Sequence, residues 1–177
     1  MLCQLAKMSG AACVIGIDLI EKRLNLAKKL GVDVILNPKK CEDIAMEIRK
    51  LTNNRGADVA IEVSGNYKAL NEAIRSVAPQ STVISMSFYQ GESKQIYLGE
   101  EFHHNWINIK CSQAGMINRV LSPRWNFARR TETVLKLFPK MKLDKLISHV
   151  YDFTDASKAY ELIDKHPEEV MGIVLKY

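Results

Sequence analysis

Short β-branched runs alternate with amphipathic stretches along most of the chain, a pattern that predicts parallel strands covered by helices. Leu2, Leu5, Ala6 and Met8 keep helical spacing and stop at Gly10, a C-terminal cap. Cys13 to Ile17 predict a strand ending at Asp18. A helix follows over Glu21 to Leu30, with Leu24, Ala27 and Leu30 on one face and Gly31 as its stop. Val34 to Leu36 predict a short strand closed by Asn37-Pro38, and Ile44, Ile48 and Leu51 mark another amphipathic helix. The near-continuous apolar run Val59 to Val63 suits a strand buried on both faces. Ser64-Gly65 then turns the chain into a helix carrying Leu70, Ala73, Ile74 and Val77, which Pro79 breaks before a strand over Thr82 to Met86. Phe88 to Ser93 read as loop, Gln95 to Leu98 and Asn108 to Ser112 as short strands, and Glu100 to Asn105 as one or two helical turns.

After Gly115 the character changes. Arg124 to Lys140 read as helix and Leu146 to Val150 as strand. Thr154 or Asp155 caps a helix running to about His166, and Gly172 to Leu175 predict a last strand. The chain shows no internal repeat and no low-complexity segment.

With 177 residues, 47% of them hydrophobic and 25% charged, the chain has the composition of a soluble globular protein. The net charge of +5 comes from basic residues interleaved with acids rather than clustered with aromatics, which argues against a nucleic-acid partner. Cys3, Cys13, Cys41 and Cys111 lie far apart with no CxxC or Cys/His pairing, against a structural zinc site or a secreted disulfide framework. Reduced thiols in a cytoplasmic protein are expected. Met1 to Ile17 resemble a signal peptide only superficially, because Ser9 and Gly10 interrupt the apolar part and Asp18 ends it. No later run has the length of a bilayer span, so no membrane partner is expected.

Asp18 is the most informative residue. An acid at the carboxyl end of a strand in a dinucleotide fold accepts hydrogen bonds from the adenosine ribose hydroxyls and repels a 2′-phosphate, favouring NAD over NADP. The alternatives are an ordinary helix N-cap, or a methyltransferase-type ribose contact that would go with a sheet ending in an antiparallel hairpin. Ser64, Gly65 and the residues around Ser85 fall at the carboxyl ends of predicted strands, where parallel sheets bind ligands. Gly65 would admit close approach of a cofactor, or simply make a tight turn. His103 and His104 are adjacent and would point about 100° apart on a helix, so they are not read as ligands of one metal. Trp106 and Trp125 read as packing or interface residues, and Arg124, Arg129 and Arg130 as a solvated helix face.

Three blocks, CVIGIDLIEKRLNLAKKLGVDVILNP, RGADVAIEVSGNYKALNEAIRSV and ISHVYDFTDASKAYELID, together resemble the medium-chain, zinc-containing alcohol dehydrogenase superfamily. The resemblance spans nearly the whole chain and implies an α/β, doubly wound parallel (Rossmann-like) sheet over residues 1–115. Residues 116–177 would be a small α+β segment returning into the catalytic domain. Carried over position by position, Asp18 resembles the ribose-binding acid and Arg23 the basic residue packed near the same adenosine. Ser64 and Gly65 match the turn lining the adenosine side, and Ser85 and Ser112 fall near backbone positions holding the nicotinamide amide. Met86 departs from the glycine common in that turn.

The strand, glycine-rich loop and helix that open such a domain have no counterpart here, since Gly10 ends a helix and Gly16 lies inside a strand. The family's catalytic zinc ligands precede the cofactor domain, so no catalytic residue and no metal ligand is assigned. The resemblance implies hydride transfer between an alcohol or polyol and NAD in the full-length enzyme. The expectation is therefore an N-terminally truncated, homo-oligomeric cofactor-binding portion that is inactive alone. A non-catalytic oligomerisation remnant is the competing expectation.

Overall fold

Left-handed glycines punctuate the first elements. Helix α1 (Leu2–Met8) is closed by Gly10 at φ +92°, and helix α2 (Glu21–Lys29) by Gly31 at φ +97°. Between and after them, strands β1 (Ile15–Ile17) and β2 (Val34–Leu36) pair in parallel, Ile15 opposite Val34 and Ile17 opposite Leu36. The computed structural model describes residues 1–177, which divide into two compact units, Met1–Lys40 with Leu121–Tyr177, and Cys41–Val120.

In the first unit, Val14, Leu24 and Val32 are buried. Lys7 reaches Asp33 at 2.9 Å, and Asp33 also accepts the Val14 N–H at 2.6 Å, tying α1 to the entry of β2. The later half of this unit holds α5 (Phe127–Leu137), β6 (His149–Asp152), α6 (Ala156–Lys165) and β7 (Ile173–Lys176). Strands β6 and β7 pair in parallel, which requires the crossover that α6 supplies. β6 starts at His149 rather than Leu146, because Asp144–Leu146 close into a 3₁₀ turn through the Ile147 N–H to the Asp144 carbonyl. On α5, Arg129 lies 4.5 Å from the Trp125 ring centre and Arg130 lies 4.8 Å from that of Phe127.

The second unit contains α3 (Ile44–Leu51), β3 (Ala57–Glu62), α4 (Tyr67–Ser76), β4 (Val77–Ser85) and β5 (Asn108–Cys111). The strands form a parallel sheet in the order β3-β4-β5. Side-chain caps start both helices: Asp43 accepts from Met46 N, and Asn66 from Lys68 N and Ala69 N. Leu70, Ile74, Val77, Val83 and Ile107 make the core, with Ala60, Tyr89 and Phe102 packed against it.

Three expectations need correction in this unit. β3 is not buried on both faces, for Val59, Ile61 and Val63 are 51%, 42% and 52% exposed while Glu62 is 6% exposed. Successive strand side chains alternate, so one face carries the core and the other is open. β4 begins at Val77 rather than Thr82; Pro79 sits in a bulge that breaks the register with β3 between Ala57 and Val59, with Gln80 at φ +62°. Gln95 to Leu98 do not form a strand, since the Ile96 N–H turns back to the Ser93 carbonyl and an irregular helical turn covers Leu98–Phe102. The strands form three separate sheets, in which β1 pairs only with β2 and β3 only with β4. No helix is long and apolar enough to cross a membrane.

Candidate functional site

Asp18 directly follows β1, and its backbone N–H continues the ladder to the Leu36 carbonyl at 3.3 Å. One carboxylate oxygen accepts the Ile20 N–H at 2.9 Å, an Asx-type turn that starts the chain into α2. Asp18 is not the N-cap of α2; that position is Ile20, which has no side-chain cap. The second carboxylate oxygen carries no partner within the chain and remains able to accept from a ligand at the end of a parallel strand. Gly16, inside β1, gives room to Val32, whose methyl carbon would meet an added Cβ at 3.2 Å.

Arg23, one turn into α2, is committed elsewhere. Its Nη2 donates to the Pro167 and Val170 carbonyls at 2.8 and 3.1 Å, while its buried Nε has no partner. Asp18 and Arg23 thus share the first unit, whereas Ser64, Gly65, Ser85 and Ser112 share the second.

Those four sit at the carboxyl ends of β3, β4 and β5. Glu62 pairs with Ser85 and Ser85 with Cys111 across the sheet, and the Ser112 N–H donates to the Ser85 carbonyl at 2.8 Å. The residue that organises this end is one that periodicity could not flag. The Glu62 carboxylate accepts the Ser64 N–H at 2.7 Å, the Gly65 N–H at 3.2 Å, the Ser64 hydroxyl and the Tyr89 hydroxyl. A carboxylate is rarely buried unless its lone pairs are satisfied, and here four donors meet it. Burial, and then the bond to Glu62, push the Tyr89 hydroxyl from its ordinary 10.0 up to about 12; the Ser85 hydroxyl works the other way. The available signal was an acid inside an otherwise apolar strand run.

Gly65 has φ +71°, and an added Cβ would lie 2.7 Å from the Phe88 carbonyl oxygen. The glycine is therefore required by the protein's own backbone crossing the turn, whatever ligand the strand ends receive. Tyr67 joins the same loop, its ring 5.2 Å from that of Tyr89 and its hydroxyl donating to the Gly91 carbonyl at 3.2 Å.

Metal donors are arranged differently. The only group of His, Cys, Asp and Glu side chains within mutual chelating reach is His166, Glu168 and Glu169, with ligand atoms inside 4.8 Å of one another and all three residues exposed on a turn. None of the four cysteines joins such a group. A catalytic zinc needs about three convergent protein ligands in a shaped cavity, so the residues present do not fit one.

Parallel strands joined by helices, with polar side chains gathered at the strands' carboxyl ends, define the class as α/β and Rossmann-like. The chain belongs to the zinc-binding dehydrogenase family, whose sequence model matches residues 1–128. It is 37% identical over 169 residues to D-guloside 3-dehydrogenase of Escherichia coli K12, covering 94% of this chain and 48% of that protein. It is 33% identical over 159 residues to L-threonine 3-dehydrogenase of Pyrococcus furiosus, covering 89% of this chain and 43% of that one. Among solved structures, 2R,3R-butanediol dehydrogenase from Bacillus subtilis superposes with a TM-score of 0.79 at 22% identity, covering 99% of this chain and 47% of that one. An alcohol dehydrogenase from E. coli CFT073 complexed with NADH superposes with a TM-score of 0.78 at 21% identity, covering 99% and 48%. The chain spans about half the length of the curated relatives it matches.

Proposed function

We propose that this chain is the cofactor-binding portion of an NAD-dependent dehydrogenase acting on an alcohol or polyol. The observation that carries the reading is Asp18, a carboxylate with one uncommitted oxygen at the end of a parallel strand. Support comes from the dehydrogenase relatives and from the structural neighbour that holds NADH. In this reading residues 1–115 serve the cofactor and 116–177 return toward a catalytic domain. Asp18 accepts the adenosine ribose hydroxyls and excludes a 2′-phosphate by charge repulsion. Arg23 packs its aliphatic stem beside the adenosine while its head stays with the Pro167 and Val170 carbonyls. Ser64 and Gly65 line the adenosine side, and the backbone at Ser85 and Ser112 serves the nicotinamide amide. Bound NAD supplies the hydride acceptor. No residue of this chain is assigned to proton transfer or zinc chemistry, so the chain alone is expected to turn over no alcohol.

Calorimetric titration with NADH tests this directly. Asp18→Ala should weaken binding at least about tenfold, as loss of charge-assisted hydrogen bonds implies. Asp18→Asn, which preserves the turn acceptor, should narrow the preference for NADH over NADPH. Unchanged NADH affinity in both variants would remove the assignment.

A second reading, as an assembly module, is favoured by β5, whose four residues are all exposed and whose outer edge is unpaired. It makes the chain a homo-oligomer that binds no dinucleotide. Light scattering showing only monomer would end it, and NADH binding sensitive to Asp18 would favour the first reading.

A further inference from the structure

A cavity of about 600 Å³ opens in the first unit between α2 and the turns that precede β6 and β7. It is lined by Lys22, Asn25, Leu26, Lys29, Lys145, Ser148 and Met171, three cations and no acid. That volume lies within the range of small-molecule sites, roughly 300–1,000 Å³.

The wall residues differ in how far they are committed. Ser148 is saturated: its hydroxyl donates to the Gly172 carbonyl at 3.0 Å and accepts the Met171 N–H at 3.0 Å, which fixes the wall. Lys22 donates to the Glu169 carbonyl at 3.1 Å, leaving two of its N–H groups. Lys145 meets only its neighbour Asp144, at 3.1 Å and in the open, where such a pair contributes little. Lys29 and the Asn25 amide have no partner within the chain. Leu26 and Met171, both half-buried, add apolar surface between the cations.

An apolar floor ringed by lysines, with one free carboxamide, is complementary to an anion that also carries an apolar or planar body. We infer that this groove binds a phosphorylated small molecule bearing at least two phosphate charges, at a place separate from the Asp18 strand end. The lysines meet the phosphates, and Leu26 and Met171 receive the body. Asn25 offers both a donor and an acceptor to that body's polar edge.

The test uses magnesium-free ATP and inorganic pyrophosphate as probes, titrated calorimetrically into the 177-residue chain at low and physiological salt. ATP should bind, more weakly at higher salt, and pyrophosphate should bind clearly less well because it lacks the body. Lys29→Glu and Lys145→Glu should each weaken ATP by roughly three- to tenfold, the scale of exposed charge contacts, and Lys29→Gln by less. ATP also carries the ribose assigned above to Asp18, so the lysine variants rather than Asp18→Ala distinguish binding in this groove from binding at that strand end. No ATP binding, or indifference to the lysine changes, would each overturn the assignment to this groove. Equal affinity for pyrophosphate would overturn the role given to Leu26 and Met171.

Discussion

Replacing Glu62 by alanine should destabilise the chain through the donors it abandons rather than through lost volume. The Ser64 N–H and hydroxyl, the Gly65 N–H and the Tyr89 hydroxyl all meet this one carboxylate. A buried donor left unsatisfied costs about 1–3 kcal/mol. Ser64 is exposed and water can replace its partner, whereas Gly65 and Tyr89 are half-buried and recover less. The expected loss is therefore about 2–4 kcal/mol, a large share of an ordinary domain stability of about 5–15 kcal/mol. Glu62→Gln keeps one acceptor oxygen for Ser64 but turns an NH₂ toward Gly65 and Tyr89, so about 1–2 kcal/mol is expected. Urea unfolding of each variant measures these losses, and a double-mutant cycle with Tyr89→Phe isolates the shared bond. A coupling of about 1 kcal/mol or more is expected. An alanine variant within about 0.5 kcal/mol of the parent, or strictly additive effects with Tyr89→Phe, would refute the view that Glu62 holds this strand end together.

Two further outcomes follow from the same unit. Tyr89 ionises late, so its neutral form is favoured in the folded state. Stability is then whole below the ordinary tyrosine value of 10.0 and is lost as pH rises through about 12. Absorbance at alkaline pH should show a late tyrosine phase at about 12, and Tyr89→Phe should abolish it. Arg75 holds Asp43, Glu72 and Glu101 at 2.6, 3.0 and 3.2 Å, so Arg75→Met should cost about 1–3 kcal/mol near neutral pH, reduced from a fully buried case because its side chain is a quarter exposed. Its guanidinium holds the Asp43 carboxyl below the usual carboxylate range, so that contribution is present above the ordinary value of 3.8 and fades as pH falls further. The stability gap between parent and Asp43→Asn, followed by urea unfolding from neutral to acid pH, should close accordingly.

What could be read from residue order depended on how local the cause was. Gly10 and Gly31 close α1 and α2 because a left-handed terminus needs no partner beyond the helix itself. The strand ends at Asp18 and Ser64 were visible for a similar reason, since an apolar run stops and a turn follows. The β4 bulge was not, because a proline that breaks a helix and one that occupies a strand irregularity look alike without the partner strand. Nor was the exposure of Val59 and Ile61 visible, for an apolar run states what a strand can bury and not what lies over it. Glu62 and Tyr89 are 27 residues apart and meet only because β3 and β4 lie side by side. Arg23 shows the reverse case: its place in α2 was legible, but its commitment to carbonyls 144 and 147 residues away was not.

Those two carbonyl contacts of Arg23 bear on how the molecule is made. The unit built from Met1–Lys40 is completed only by Leu121–Tyr177, whereas Cys41–Val120 is continuous in sequence. During synthesis at about 5–20 residues per second, the opening strands would wait on the order of ten seconds, with their apolar flanks uncovered, for the segment that receives them. Cys41–Val120 is thus able to mature before the unit that contains Met1–Lys40 is complete.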